Sequence, residues 1–282
     1  MLIFKHTADL VKYLDKQREN SRGLGFVPTM GALHKGHLSL LKAAKKDNDL
    51  SICSIFVNPT QFNKQTDLKA YPRTIENDIY LLEKEGNDIL FLPDENEIYP
   101  DGKLPEINFD FSGLDQDMEG SYRPGHFKGV VMVLHRFLSI IKPDAIYMGQ
   151  KDYQQYLITH KLAKDFHPNT KVVMVNTIRE EDGLAMSSRN MRLSKKGRLA
   201  ASNLYAALKK FKSKYKDHSV AELRKEIIEE LNRHPLIEVE YLDLASAGDL
   251  KLLEQWNAED SAVVCIAANV EEIRLIDNLI IS

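Results

Sequence analysis

The chain is short of several things, and each shortage narrows what it does. It has two cysteines in 282 residues, Cys53 and Cys265, each inside an apolar run. That pattern reads as two buried thiols in a reducing compartment rather than a disulfide framework, with neither a nucleophile. No apolar run approaches the ~18 residues of a membrane-crossing helix, and Met1-Leu2-Ile3-Phe4-Lys5-His6 turns polar too soon for a signal peptide. A cytoplasmic protein with no membrane partner is expected. Neither sign of charge dominates: 38 Lys and Arg against 41 Asp and Glu leave a net charge of −3. A polyanion such as DNA or tRNA therefore finds no electrostatic footprint, and the expected ligands are small molecules rather than nucleic acid. Internal repeats and low-complexity tracts are also missing.

What is present is an alternation of helical and extended patterns. Thr7 caps a first predicted helix, Ala8 to about Arg18, and a strand Leu24 to Val27 follows. After a helix from His37 to about Lys46 comes Leu50 to Val57, a near-continuous apolar run typical of a strand covered on both faces. A helix over Asn77 to Glu85 and a strand over Asp88 to Leu92 extend this βαβ start. Pro93 to Gly125 reads as loop with a short strand at Glu106 to Phe111, and a loop of that length is usually functional or interfacial. Helix and strand signals then alternate through Lys128 to Ile141, Ala145 to Met148, Tyr153 to Phe166 and Lys171 to Asn176. Beyond Ser194 two polar-faced helices, Lys195 to Lys214 and Val220 to Arg233, precede apolar runs at Val239 to Leu244, Ala262 to Ala267 and Glu272 to Ile281. The second opens on a capping box, Ser219 to Glu222. The fold class is α/β: a Rossmann-like doubly wound parallel sheet in residues 1–180, with a smaller C-terminal α+β domain in 181–282.

The most informative stretch is Phe26-Val27-Pro28-Thr29-Met30-Gly31-Ala32-Leu33-His34-Lys35-Gly36-His37. An apolar run breaks at a proline, passes two glycines and delivers two histidines where an amphipathic helix (Leu38, Leu40, Leu41, Ala44) begins. The head of a helix carries unpaired N–H groups and the positive end of the macrodipole, so such a turn favours an anion. Gly31 and Gly36 allow close backbone approach, and the imidazoles add donors that can be charged. On spacing alone the stretch also reads as an ordinary strand-to-helix turn with two surface histidines. A Walker A loop is excluded, because His37-Leu38 follow Gly36 where a lysine and a hydroxyl are needed. A dinucleotide fingerprint is excluded too, since the G-x-G at Gly23 to Gly25 precedes the strand. Zinc at His34 and His37 lacks further ligands, so no protein-held metal is expected. What remains is an H-x-G-H loop. It resembles the signature of the nucleotidyltransferase superfamily that includes the class I aminoacyl-tRNA synthetases, which activate a carboxylate or phosphate by attack on the α-phosphate of ATP.

Three further polar clusters follow predicted strands: Asn58-Pro59-Thr60-Gln61, Gly149-Gln150-Lys151-Asp152-Tyr153-Gln154-Gln155, and Met186-Ser187-Ser188-Arg189-Asn190. Any one of them reads equally as an ordinary loop. Together with the H-x-G-H loop, Tyr71-Pro72-Arg73 and Glu119-Gly120-x-x-Arg123-Pro124-Gly125-His126-Phe127, they resemble in order the motifs of the pantothenate synthetase family, the pantoate:β-alanine ligases. The resemblance spans Pro28 to Asn190.

The resemblance implies condensation of pantoate with β-alanine through a pantoyl adenylate, with ATP as substrate, Mg²⁺ arriving on the ATP, and a homodimer. It gives catalytic roles to His37, His34 and Lys151. Its ATP site comprises Met30, Gly31, Ala32, Leu33, His34, Lys35, Gly36, His37, Gly149, Gln150, Lys151, Asp152, Ile178, Met186, Ser187, Ser188 and Arg189. Gln61 and Gln155 are its pantoate-binding amides, Gln61 also facing β-alanine. The Met186 to Arg189 segment resembles a mobile basic loop with Gly183 as its hinge. Read as residues alone, Lys151 is also a solvated surface lysine, either glutamine also satisfies loop backbone, and Ser187 or Ser188 also caps a helix. Thr60 and Gln150 depart from the methionine and glutamate of many relatives, and Asn77 lies in a stretch more acidic in some, which weakens a metal role there although Asp78 remains. Two other functions share the loop: a nucleotidylyltransferase that joins adenylate to a cofactor precursor, and a nucleotide-binding regulatory module without turnover.

Overall fold

The computed structural model describes residues 1–63, 65–256 and 261–281. The chain divides into two units. The first comprises Met1–Ser112, Arg123–Gly149 and Gln155–Asn176; the second comprises Gly113–Tyr122, Gln150–Gln154 and Thr177–Ser282.

In chain order the first unit contains β1 (Leu2–Phe4), α1 (Thr7–Glu19), β2 (Leu24–Thr29), α2 (Lys35–Asp47), β3 (Leu50–Ile55), α3 (Gln65–Ala70), α4 (Ile75–Lys84), β4 (Ile89–Phe91) and α5 (Glu95–Ile98). After α6 (Glu119–Tyr122), which belongs to the second unit, come α7 (His126–Ile141), β5 (Ala145–Gly149), α8 (Tyr153–Phe166) and β6 (Lys171–Val175). Six strands form one sheet in the order β1-β4-β3-β2-β5-β6, every pairing parallel. The central strands β2, β3, β4 and β5 are buried along nearly their whole length, which explains their unbroken apolar runs, whereas the edge strands β1 and β6 are partly exposed. Val27, Cys53 and Leu90 share one face by register. On the other, Phe26 and Phe91 meet Phe137 of α7 edge-on, with centroids 5.7 and 6.1 Å away.

The order places β3 on one side of β2 and β5 on the other. That reversal is the point where open α/β sheets bind ligands, beyond the carboxyl ends of the strands. β2 runs into the histidine turn, and β5 ends at Gly149.

The second unit holds α9 (Lys195–Lys214) and α10 (Val220–Asn232), then β7 (Ile237–Ser246), β8 (Ala262–Val270) and β9 (Ile273–Ile281) in an antiparallel sheet ordered β7-β8-β9. Its core includes Leu204, Leu208 and Phe211 of α9 with Val264, Ile266 and Leu275. Ser219 caps α10 by accepting from Glu222 N at 3.2 Å.

Several expectations need correcting. Thr7 is the first helical residue of α1, not its cap; its N–H donates instead to Glu97 Oε2 at 2.7 Å, a carboxylate 90 residues away. No strand forms at 106–111; the segment is irregular and anchored by aromatic packing, Phe109 lying 4.8 Å edge-on to Phe111 and 6.2 Å from Phe166. β1 carries no signal in the sequence, because three residues show no periodicity. The single cut at residue 180 gives way to an interleaved division. The second unit claims two earlier segments because Glu119 pairs with Arg274 at 2.7 Å and Asn278 binds the carbonyls of Gln150 and Lys151 at 2.9 and 2.8 Å.

Candidate active site

In the first unit the chain leaves β2 and turns through Met30 to Leu33 before α2 begins. Gly31 (φ 82°) and Ala32 (φ 49°) are consecutive left-handed residues. Glycine adopts that conformation freely, whereas alanine does so at a cost of about 1 kcal/mol. Asp78 of α4, 1% exposed, holds them there. Its Oδ2 accepts from Ala32 N at 2.9 Å, its Oδ1 from Leu33 N at 2.8 Å and from Thr74 Oγ1 at 3.1 Å. A Cβ on Gly31 would come within 3.1 Å of Asp78 Oδ2. The Leu33 side chain enters the core with Leu41, Cys53, Ile55, Leu82 and Leu90, so its place in the site is through backbone.

His34 is the N-cap of α2, and His37 sits in its first turn. His34 Nδ1 accepts from Gly36 N at 3.1 Å, and His37 Nδ1 accepts from His34 N at 3.4 Å. This is a capping box in which imidazoles replace the usual hydroxyl and carboxylate. The ring centroids are 4.1 Å apart. Because each Nδ1 accepts from a backbone N–H, each neutral ring carries its proton on Nε2. Gly36 N is capped by His34, and the amides of Ala32 and Leu33 are held by Asp78. Lys35 is exposed beside them.

Gln61 ends a single 3-10 turn, Pro59–Gln61, capped by Asn58. Its Oε1 accepts from Asn58 Nδ2 at 3.1 Å, and its Nε2 donates to Met30 Sδ at 3.4 Å, which brings Met30 and Gln61 together. Two neighbours outside the candidate set position the turn. His126 Nδ1 lies 2.8 Å from Gln61 O. Gly129 of α7 lets the turn approach, since a Cβ there would lie 2.7 Å from Gln61 N and still closer to the Thr60 carbonyl. Gln155, in the first turn of α8, is half-buried, and its carbonyl accepts from Thr159 Oγ1 at 2.7 Å. At Gly149 a Cβ would meet nothing within 4 Å.

In the second unit Gln150 is 9% exposed and its amide is paired with Asn278: Gln150 Nε2 donates to Asn278 Oδ1 at 3.2 Å, and Asn278 Nδ2 returns to Gln150 O at 2.9 Å. Gln150 therefore anchors this turn by its side chain. Lys151, its side chain 17% exposed, sits 3.4 Å from Asp152. Next to Asn278, Asp277 accepts two bonds from Arg179, at 2.6 and 3.1 Å, and Arg179 lies 3.7 Å over the Tyr205 ring. Burial pushes the Asp277 carboxyl up, opposed by Arg179.

Arg179 also opens a short hairpin. It bridges to Ala185, and Met186 N donates to Ile178 O at 3.0 Å, so Ile178 and Met186 face each other at its mouth. Gly183 (φ 92°) makes the tight turn, with a hypothetical Cβ 2.5 Å from the Tyr205 ring. It is a packed turn glycine. Arg198 pins the tip through two bonds to Asp182, at 2.5 and 3.0 Å. Ser187 then caps a 3-10 turn, Ser188–Arg192, by accepting from Arg189 N at 3.3 Å, the capping alternative seen in the sequence. Ser188 is buried and Arg189 half-buried.

A parallel α/β sheet whose switch point carries a histidine-capped helix defines the class, a nucleotide-binding protein of the H-x-G-H type. The sequence model of the pantoate–β-alanine ligase family matches residues 2–280. A pantothenate synthetase of Cytophaga hutchinsonii is 44% identical over 271 residues, covering 95% of each chain. One from Azobacteroides pseudotrichonymphae is 42% identical over 280 residues, covering 99% of each. The crystal structure of pantothenate synthetase from Thermus thermophilus superposes with a TM-score of 0.91 at 40% identity, covering 99% of each chain. A pantoate–β-alanine ligase from Francisella tularensis, solved with β,γ-ATP and β-alanine, gives a TM-score of 0.81 at 36% identity, covering 99% of this chain and 97% of that one. The chain belongs to the pantoate–β-alanine ligase family.

Proposed function

We infer that this chain condenses (R)-pantoate with β-alanine, using ATP and releasing AMP and pyrophosphate. The pantoate carboxylate attacks the α-phosphorus of ATP to give pantoyl adenylate and pyrophosphate. The β-alanine amine then attacks the acyl carbon, forming pantothenate and expelling AMP. Family membership over residues 2–280 supports the reaction, and the ATP and β-alanine named for the Francisella tularensis relative support the substrates.

The observation that carries the reading is the pair of imidazoles at the head of α2, each with Nδ1 tied to backbone. Displacement at phosphorus leaves a protein mainly positioning and charge stabilisation to do. His37 and His34 donate to the transferring phosphate from Nε2, and a preorganised donor of this kind is worth ~10²–10³ in rate. Lys151, Ser187, Ser188 and Arg189 hold phosphate oxygens; Met30, Gly31, Ala32, Leu33, Lys35, Gly36, Gly149, Gln150 and Asp152 shape the nucleotide turns; Ile178 and Met186 flank the adenine. Gln61 and Gln155 bind pantoate. Since the Gln61 oxygen is engaged by Asn58, Gln61 meets pantoate and β-alanine only as a donor.

Magnesium enters on the nucleotide. Asp78 does not suit it, because both carboxylate oxygens already accept backbone N–H groups. The buried free thiols Cys53 and Cys265, both pushed up by burial, fit a reducing cytoplasm, and we assign a homodimer by family resemblance. Incubation with ATP, Mg²⁺, pantoate and β-alanine, with separation of the nucleotides, tests the reading. Pantoate-dependent AMP and pyrophosphate are expected; ADP and phosphate would overturn it.

A further inference from the structure

The Gln61 amide is aimed from a distance. Asn58, 1% exposed, has all its polar positions filled. Its Oδ1 accepts from Thr60 N at 3.3 Å, from Thr60 Oγ1 at 2.9 Å and from Tyr99 OH at 2.8 Å; its Nδ2 donates to Gly129 O at 3.2 Å and to Gln61 Oε1 at 3.1 Å. A backbone N–H only donates and a carbonyl only accepts, so the Thr60 amide and the Gly129 carbonyl fix which end of Asn58 is oxygen. The two hydroxyls then give that oxygen its shortest bonds. Tyr99 is itself 1% exposed, follows α5, and has its phenol pushed up to about 12 by burial, so it donates at any working pH.

The consequence reaches Gln61. With Oε1 held by Asn58, its Nε2 is directed at Met30 Sδ, and a thioether is a weak acceptor that an oxygen of an incoming acid readily displaces. We propose that Tyr99 and Thr60 are positioning residues that act through Asn58 to keep the donor end of the Gln61 amide toward the substrate, and so set the affinity for pantoate. Neither is needed to touch substrate. The proposal rests on the reading that Gln61 binds pantoate.

The test measures steady-state constants of the full-length enzyme for all three substrates. Tyr99→Phe and Thr60→Val each raise the KM for pantoate roughly 3-fold, and the double variant about 10-fold, the scale of one or two neutral hydrogen bonds. The KM for ATP stays within 2-fold, and Thr60→Ser, which restores a hydroxyl, behaves as wild type. General loosening would move every constant and the melting temperature together, and that result overturns the proposal. Should Tyr99→Phe fail to fold, Thr60→Val against Thr60→Ser decides alone. Gln61→Ala separates the two layers. If it raises the pantoate KM while the Tyr99 and Thr60 variants do not, the proposal falls and the Gln61 reading stands; if it leaves the pantoate KM unchanged, both fall.

Discussion

Asp78→Asn is the sharpest perturbation of the histidine turn, because the geometry forbids an easy accommodation. Each carboxylate oxygen of Asp78 accepts a different backbone N–H, Ala32 on Oδ2 and Leu33 on Oδ1. An asparagine offers one acceptor, so in either orientation one N–H faces an amide NH₂ in a site that is 1% exposed. Losing a charge-assisted bond at a buried donor costs ~2–3 kcal/mol. Ala32, left-handed at φ 49°, also loses its restraint and can relax by about 1 kcal/mol, moving the backbone that leads into His34. That relief offsets part of the loss, and a net destabilisation of ~1–2 kcal/mol lowers the melting temperature of a domain this size by roughly 2–8 °C. Displaced imidazoles should lower pantoate-dependent pyrophosphate release ~10²-fold, the value of one misaligned donor. Thermal melting and a pyrophosphate assay without β-alanine measure both. Asp78→Asn with wild-type melting and a rate within 2-fold of wild type would refute the view that this carboxylate builds the turn.

Gly129→Ala presses a methyl group into the Pro59–Gln61 turn, 2.7 Å from Gln61 N. Overpacking of ~1–3 kcal/mol at that contact should cut kcat/KM for pantoate 10-fold or more while the nucleotide dissociation constant moves less than 3-fold; titration and kinetics check the split. A separate prediction concerns acid. His135 Nδ1 and His167 Nε2 lie 3.0 Å apart, and burial lowers both rings, His167 to about 4. The folded pair stays neutral where unfolded histidines, near 6.5, take up protons. The unfolded state then binds more protons, so stability is full above pH ~6.5 and declines as the pH falls toward 4. Urea midpoints between pH 6.5 and 5 should slope for wild type and less for His167→Gln; equal slopes would remove the pair as the cause.

The sequence carried the sheet well, because strands buried on both faces announce themselves as apolar runs, as Leu50 to Ile55 does. It carried the H-x-G-H turn equally, since its residues are adjacent. What it could not carry are pairings across distance. Asp78 was legible only as a carboxylate near a metal, whereas its partners are backbone groups 45 and 46 residues earlier. Tyr99 and Gly129 gave no signal, because a lone tyrosine in a loop and a lone glycine in a helix say nothing of the turn they meet. Gln150 read as a site residue by its place in a motif, and only its partner 128 residues on shows that its amide is occupied. The interleaving of the units follows from the same kind of contact, Glu119 with Arg274. Composition and spacing contain no register for such bonds.

Oxygen-18 in the pantoate carboxylate follows the reaction most directly. If that carboxylate attacks the α-phosphorus and the amine later cleaves the acyl C–O bond, one labelled oxygen leaves on AMP and none on pyrophosphate. Label recovered in inorganic phosphate, or AMP formed without label, would contradict adenylate chemistry in this chain.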